Sequence, residues 1–397
     1  TFYFSHFNFF TFQSLAIHFI ISKKRVNFVG KLFIMKPQVI AFYLPQFHAI
    51  PENDEWWGKG FTEWTNVGKA KPLFPGHYQP HVPADLGYYD LRVPEVRAAQ
   101  AEMAKKYGID AFCYYHYWFG NGKQLMQMPI NEVIKSGEPD FPFFLCWANH
   151  SWQNKNWNSS AQKMESKLLV EQKYPGIEDV YLQFNTILPI LKDKRYYKID
   201  GRLAYSFYRP QNIPYLKEYC ETFNQLAKSN GLPEFYFMGE AFSEEELSLS
   251  GFEYLDAIFL NTFNSAFGSH KMQIIKNILS KIFKFPAKVI SYKHAINYLL
   301  CEKHKEDKIY PVIRPNWDHS PRLGHNSTII HNSSPKLWRK LLQNTFETIK
   351  DKPQTDQIIM IKSWNEWAEG NHLEPDLKWG LGYLKAIKET LVEYEKR

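Results

Sequence analysis

The 397 residues contain no Walker-type phosphate loop, no GxGxxG turn, no HExxH zinc helix, no GxSxG elbow and no EF-hand loop. Phosphate-cradling, zinc-protease and serine-hydrolase readings therefore lose their usual support. Cysteine is scarce: the four present, Cys113, Cys146, Cys220 and Cys301, are far apart and form neither CxxC nor a mixed Cys/His ligand spacing. That pattern excludes a disulfide framework and a structural zinc finger, and it points to a reducing compartment. Acidic residues are missing from residues 1–34, which carry Lys23, Lys24, Arg25 and Lys31. These four cations leave only +3 of the net charge of +7 for everything after them, so nucleic acid is a poor partner.

The opening TFYFSHFNFFTFQSLAIHFIIS has no Lys, Arg, Asp or Glu, and residues 1–34 hold 9 of the 31 phenylalanines. Polar residues scattered through the run count against a membrane span. A positive charge that follows the apolar stretch counts against a secretory signal. Met35 opens MKPQVIAFYLPQFH, which reads at once as the start of a strand. Residues 1–34 are accordingly expected to be a non-native or unstructured extension, with one folded domain over 35–397. A cytoplasmic location without membrane association, metal or cofactor is expected.

What the chain has in abundance is aromatic: 17% of residues, with 12 Trp and 24 Tyr. Past Met35, short apolar runs at 39–48, 109–118, 141–150, 202–210, 234–242, 256–263, 309–317 and 357–367 alternate with segments of helical period. Helices are expected at about 94–108, 178–194, 214–230, 272–300, 335–350 and 379–396. Eight strand-like runs with helices between them predict a single-domain α/β fold, a (β/α)8 TIM barrel with long βα loops. A doubly wound sheet is the alternative, but it offers no glycine-rich turn after its first strand.

Nearly every run begins apolar and ends polar or aromatic, and in a barrel those ends converge on the face that carries chemistry. The candidates for binding substrate there are Tyr43, His48, Trp64, Tyr115, His116, Trp118, Trp147, Asn149, Tyr208, Glu240, Trp317, Asp318, Asn365 and Trp367. Pyranose C–H faces lie on indoles and phenols, while sugar hydroxyls need directional polar partners, so the palette suits an oligosaccharide or polysaccharide. Core plugging is the competing role for the rings. Cleaving or forming a glycosidic bond needs two carboxyls in different protonation states. In IKSWNEWAEG, Glu366 and Glu369 supply a pair directly after a buried run, and their proximity raises the pKa of one of them. Glu240 is a rival catalyst without an acidic partner in its own run.

The motifs IAFYLPQFHAIPENDEWWGKGFTEWTNV, FCYYHYWF, FLCWANHSW, RPNWDHSPR and SWNEWAEGNHLEPD span about 37–383. On these the chain resembles the WbsX-type family of bacterial O-antigen and polysaccharide loci, which is related to the family 99 endo-α-mannosidases and endo-α-mannanases. The resemblance implies a (β/α)8 barrel with its site at the strand C-termini. It also implies Glu366 as the base engaging the sugar 2-hydroxyl and Glu369 as the acid protonating the leaving oxygen, with retention through a 1,2-anhydro sugar. Ala368 departs from the hydrolases, which commonly have His there, and this puts the substrate preference in doubt. The family label says glycosyltransferase, yet no DxD motif or paired nucleotide-binding halves occur. Expected, then, is endo-α-mannosidase-like chemistry on a bacterial surface polysaccharide. The alternatives are a glycosyltransferase using an activated donor and a non-catalytic glycan-binding barrel.

Overall fold

Val39–Phe42 are wholly buried, and so is every residue of Ala111–Trp118. Strands covered on both faces belong to parallel sheets flanked by helices. The computed structural model describes residues 25–26, 32–33, 36–158, 163–268, 285–286 and 288–396. Apart from 25–26 and 32–33, the expected extension at 1–34 lies outside these described residues.

Eight strands carry the architecture: β1 Gln38–Tyr43, β2 Ala111–Trp118, β3 Phe143–Trp147, β4 Arg202–Phe207, β5 Phe235–Ala241, β6 Ala257–Leu260, β7 Ile309–Ile313 and β8 Ile358–Ile361. Each pairs in parallel with the next in sequence. The last returns to the first through Ile358↔Gln38 to Ile361↔Ala41, which closes the barrel. The predicted (β/α)8 barrel is therefore the observed fold.

Five of the longer helices lie where periodicity and caps place them, those beginning at Pro94, Ile177, Leu216, Pro335 and Gly382, and three more, beginning at Pro51, Glu63 and Met128, were not expected. They are α1 Pro51–Trp57, α2 Glu63–Lys69, α3 Pro94–Tyr107, α4 Met128–Ser136, α5 Ile177–Leu191, α6 Leu216–Ser229, α7 Pro335–Ile349 and α8 Gly382–Glu395. Proline opens α3 at its first turn, where an N–H has no partner to lose, and Gly108 in the left-handed region closes it. In α7, Pro335 follows Ser334, whose side chain accepts the Leu337 N–H. Among the described residues no helix is long and apolar enough to cross a membrane.

Two connections carry structure of their own, and one expected helix is replaced in its described part. The connection after β1 contains α1 and α2 and is held by its own rings: Trp64 packs on Phe47, Tyr88 and Tyr89 at centroid distances of 4.8 to 5.1 Å. After β3 come two antiparallel strands, Trp152–Asn158 and Lys163–Val170. The expected helix at 272–300 is, in its described part, a strand Lys288–Ser291 followed by a short helix Tyr292–Ala295. Val289 and Ile290 favour extended backbone, and Ser291 caps the His294 N–H, so the chain changes conformation at that serine. The strand Lys288–Ser291 pairs with Thr328–His331, which in turn pairs with Trp317–Asp318. This small side sheet fixes the segment that leaves β7.

Candidate active site

Beyond β8 the chain enters the barrel mouth. Trp364 N–H donates to Phe42 O at 2.8 Å, and Asn365 clasps Leu44 by accepting its N–H at 2.7 Å and donating to its carbonyl at 3.0 Å. The segment Asn365–Glu366 then pairs antiparallel with Asn371–His372, and the turn between them holds Glu369. Both carboxylates thus ride on one tight hairpin fixed to β1. The hairpin turns at Gly370, with φ of +57°, where an added Cβ would lie 2.9 Å from Asp318 Cβ and 3.2 Å from its backbone nitrogen. A Gly370→Ala variant is expected to lose about 1–3 kcal/mol from strain at that position, read as a lower midpoint in urea unfolding, together with lost activity as Glu369 shifts.

The two carboxyls occupy opposite electrostatic surroundings. Burial, reinforced by the charge of Glu369, pushes Glu366 up to about 8, so it carries a proton at neutral pH. Its Oε2 accepts from Ser363 Oγ at 2.8 Å and from Asn371 Nδ2 at 3.4 Å. Burial would raise Glu369 too, but Arg322, His319, Lys362 and Arg314 overcome it and hold the carboxyl below its ordinary value. Arg322 bridges Glu369 and Glu63, bonding the former directly and reaching Glu63 Oε2 at 3.0 Å, while His319 lies 3.7 Å from Glu369.

Opposite the hairpin sits a second charged group. Lys362 Nζ donates to both oxygens of Glu240 at 2.7 and 2.8 Å. Asn261 Nδ2 also donates to Glu240 at 2.8 Å, and the Asn261 side-chain oxygen accepts from Arg314 at 2.8 Å. Tyr115 stacks on Phe42 at 5.3 Å, and Lys362 lies over the Tyr208 ring at 5.0 Å. Trp317 packs between Phe263 and His319. Burial and the neighbouring Glu366 charge push the phenols of Tyr115 and Tyr117 far up, so both remain hydrogen-bond donors. Aromatic rings thus surround a protonated and an ionised carboxyl that lie three residues apart on one hairpin.

Of the residues singled out in the sequence, the structure brings Tyr115, Tyr208, Glu240, Trp317, Glu366 and Glu369 together. Others have their polar groups satisfied within the protein. Tyr43 donates to Gln100 at 2.7 Å, Trp64 to Tyr89 O at 2.7 Å, Trp118 to Asp179 at 2.8 Å and Trp147 to Trp118 O at 2.8 Å. Asn149 ties β3 to β4 through the Arg209 backbone at 2.7 and 2.8 Å. Trp367 donates to Glu374 at 2.6 Å and stacks on His372, and Asp318 accepts from His77, Gln79 and the Ser320 N–H. His116 is buried with Nε2 unpartnered and is pushed down to about 4 by that burial. His48 is buried with both ring nitrogens unpartnered, in a separate cleft with Ile50, Arg92, Gln124 and Met126. On β2, Trp118 turns to α5 while Tyr115 and Tyr117 lie beside Glu366, as a period of two requires.

Sequence reasoning missed Lys362, Arg314, Arg322, Glu63, Asn371 and Glu374. Arg314 and Arg322 are the first and last residues of the RPNWDHSPR motif, and Lys362 stands inside an apolar run; a cation at such a position was the available signal. Glu374 is buried, accepts from Trp367, Gln100 and Tyr89, and is pushed up to about 7 by burial. It positions the hairpin through Trp367.

The family model for the WbsX glycosyltransferases matches residues 39–387. The chain belongs to that family. It is 33% identical over 355 residues to the WxcX protein of Xanthomonas campestris pv. campestris, covering 89% of this chain and 49% of the relative. This WbsX-family chain therefore spans about half the length of the curated relatives it matches. Two solved structures share its fold. A glycoside hydrolase-like protein aligns with TM-score 0.56 at 15% identity, over 90% of this chain and 94% of its own. The GH99 endo-α-mannosidase from Bacteroides thetaiotaomicron aligns with TM-score 0.51 at 16% identity, over 90% and 98%.

Proposed function

We propose that the protein cleaves or transfers glycosidic bonds of a bacterial surface polysaccharide with retention of configuration, by endo-α-mannosidase-like chemistry. The observation that carries this reading is the carboxyl pair on the β8 hairpin, Glu366 protonated and Glu369 ionised, in a buried, ring-lined mouth. Two carboxyls in unlike protonation states are what glycosidic bond exchange needs. The solved endo-α-mannosidase supports the reading through its fold, and the family match supports a role in polysaccharide metabolism. Four free cysteines, three of them buried, support action in a reducing cytoplasm.

In the first step one carboxylate takes the proton of the sugar 2-hydroxyl. That oxygen attacks the anomeric carbon, and the second carboxyl gives its proton to the departing oxygen. Water, or a sugar hydroxyl in the transfer reaction, then opens the 1,2-anhydro ring, and each proton returns. The assignment implied by resemblance, base at Glu366 and acid at Glu369, needs the proton on Glu369, whereas the free protein holds it on Glu366. Arg322 is the group that can reverse this. It already reaches Glu63, and turning wholly to that partner as the glycan enters would release Glu369 to take the proton. Tyr115, Tyr208 and Trp317 offer ring faces to the sugar, and Lys362 and Arg314 offer donors to its hydroxyls.

Transfer is the second reading, favoured by the description of the family. Incubation with α-mannosides and isolated O-antigen, with and without activated sugar donors, separates the two by mass spectrometry of products. Shortened glycans and a free reducing end are expected for hydrolysis; elongated products that need a donor mark the transferase. Unchanged glycans in every mixture would sink both readings.

A further inference from the structure

A second polar cluster lies beside the catalytic hairpin, in a cleft lined by His77, His81, Asn316, His372, Asp376 and Lys378. Within it His81, His372 and Asp376 are all buried, and one donor atom from each lies within 4.8 Å of the others. No step of the proposed chemistry uses them.

The orientation of His372 is fixed. Its Nδ1 donates to the carbonyl of Glu374 at 2.8 Å, so Nε2 presents a lone pair to the cleft. Anchoring one ring nitrogen on a backbone carbonyl is the usual support for a histidine that ligates through the other. His81 Nδ1 stands 2.9 Å from that lone pair, with the two rings at 81°. Imidazole nitrogens bound to one zinc ion at about 2.0–2.1 Å lie roughly 3.0–3.4 Å apart, so these two are nearly at ligand spacing already. Asp376 supplies the anionic donor and is itself oriented by the Trp379 N–H, which Oδ1 accepts at 2.7 Å.

We propose that His81, His372 and Asp376 bind one divalent cation of the zinc class, with water completing its coordination. Two nitrogens and one carboxylate oxygen suit zinc better than calcium or magnesium. His81 belongs to the long connection after β1, whereas His372 and Asp376 belong to the segment that carries the catalytic pair. The ion therefore ties those two parts of the chain together. Through the flat stack of His372 on Trp367, at 3.7 Å and 11°, it steadies the turn that holds Glu369. The role is one of positioning, separate from the bond-breaking groups.

The test uses untagged protein, stripped with a chelator, dialysed against micromolar zinc sulfate and analysed for metal by mass spectrometry. Cobalt substitution provides a visible spectrum as a second readout. About one ion per chain is expected, with a melting temperature several degrees higher in zinc than in chelator. His81→Gln keeps an N–H donor toward His372 but removes the imidazole, and Asp376→Asn removes the charge. Both variants should fold, as read by circular dichroism, and should lose at least tenfold in bound zinc and cobalt absorbance. If His81 merely donates a hydrogen bond to His372, the wild type emerges metal-free and melts alike in zinc and chelator. That result overturns the proposal, as do variants that hold as much zinc as wild type.

Discussion

Glu369→Gln and Glu366→Gln should each lower kcat on a cleavable glycan by about 10²–10⁴-fold, with glycan affinity changed by no more than a few fold. Glutamine keeps the shape of the side chain and its place on the hairpin while it removes the ability to exchange a proton and, at 369, the charge that Arg322 holds. The two variants differ in stability. Glu366 holds its proton up to about 8 in the folded chain, against an ordinary value of 4.5. Between those values the folded state binds more protons than the unfolded one, so this group makes stability fall as pH rises through that window. Glu366→Gln carries no such group, so its melting temperature should drop less than that of wild type from pH 5 to pH 8. Part of the slope remains in the variant, because Glu374, pushed up to about 7, acts in the same direction. For Glu369 the sign reverses: its value lies below the ordinary one, so it contributes stability at neutral pH that is lost in acid. Turnover retained in both variants would remove the pair from the chemistry.

Lys362→Met is expected to destabilise the protein by about 3–5 kcal/mol, measured as a fall in the urea midpoint. Lys362 and Glu240 are among the most buried charges in the chain, with side chains 7% and 1% exposed. Burial alone would lower the lysine, and the Glu240 charge more than reverses it. Removing the ammonium leaves a buried carboxylate in the barrel mouth with, among the described residues, Asn261 as its remaining donor. The double variant Lys362→Met/Glu240→Gln removes both charges and should recover more than half of the loss. If the double variant is less stable than the single one by the full cost of a second mutation, the two groups are not energetically coupled.

The barrel was legible because each strand run is short, apolar and followed by polar groups, a pattern that survives without knowledge of contacts. The pair Glu366 and Glu369 was legible because both lie a few residues past the last such run. Period-two alternation explains why the binding candidates did not all converge. Tyr115 and Tyr117 lie beside Glu366, whereas Trp118, on the same strand, reaches Asp179 of α5. The cations were not legible for a different reason. Arg322 meets Glu63 across a sequence separation of 259, and Lys362 meets Glu240 across 122, so no local pattern links them. The helix expected at 272–300 failed in its described part because Val289 and Ile290 pair with Ile329 and Ile330, a tertiary contact outside any helical window.

The pairing of β8 with β1 sets an order in time. Until Ile358–Ile361 leaves the ribosome, β1 has an open edge and can pair only with β2, while Glu63 waits for an arginine made some 260 residues later. The nascent barrel thus carries an unpaired strand edge until β8 emerges, an interval in which association with other chains is favoured. The pair Glu366 and Glu369 and their partner Arg322 likewise come together with Glu63 only once β8 and the hairpin after it have emerged.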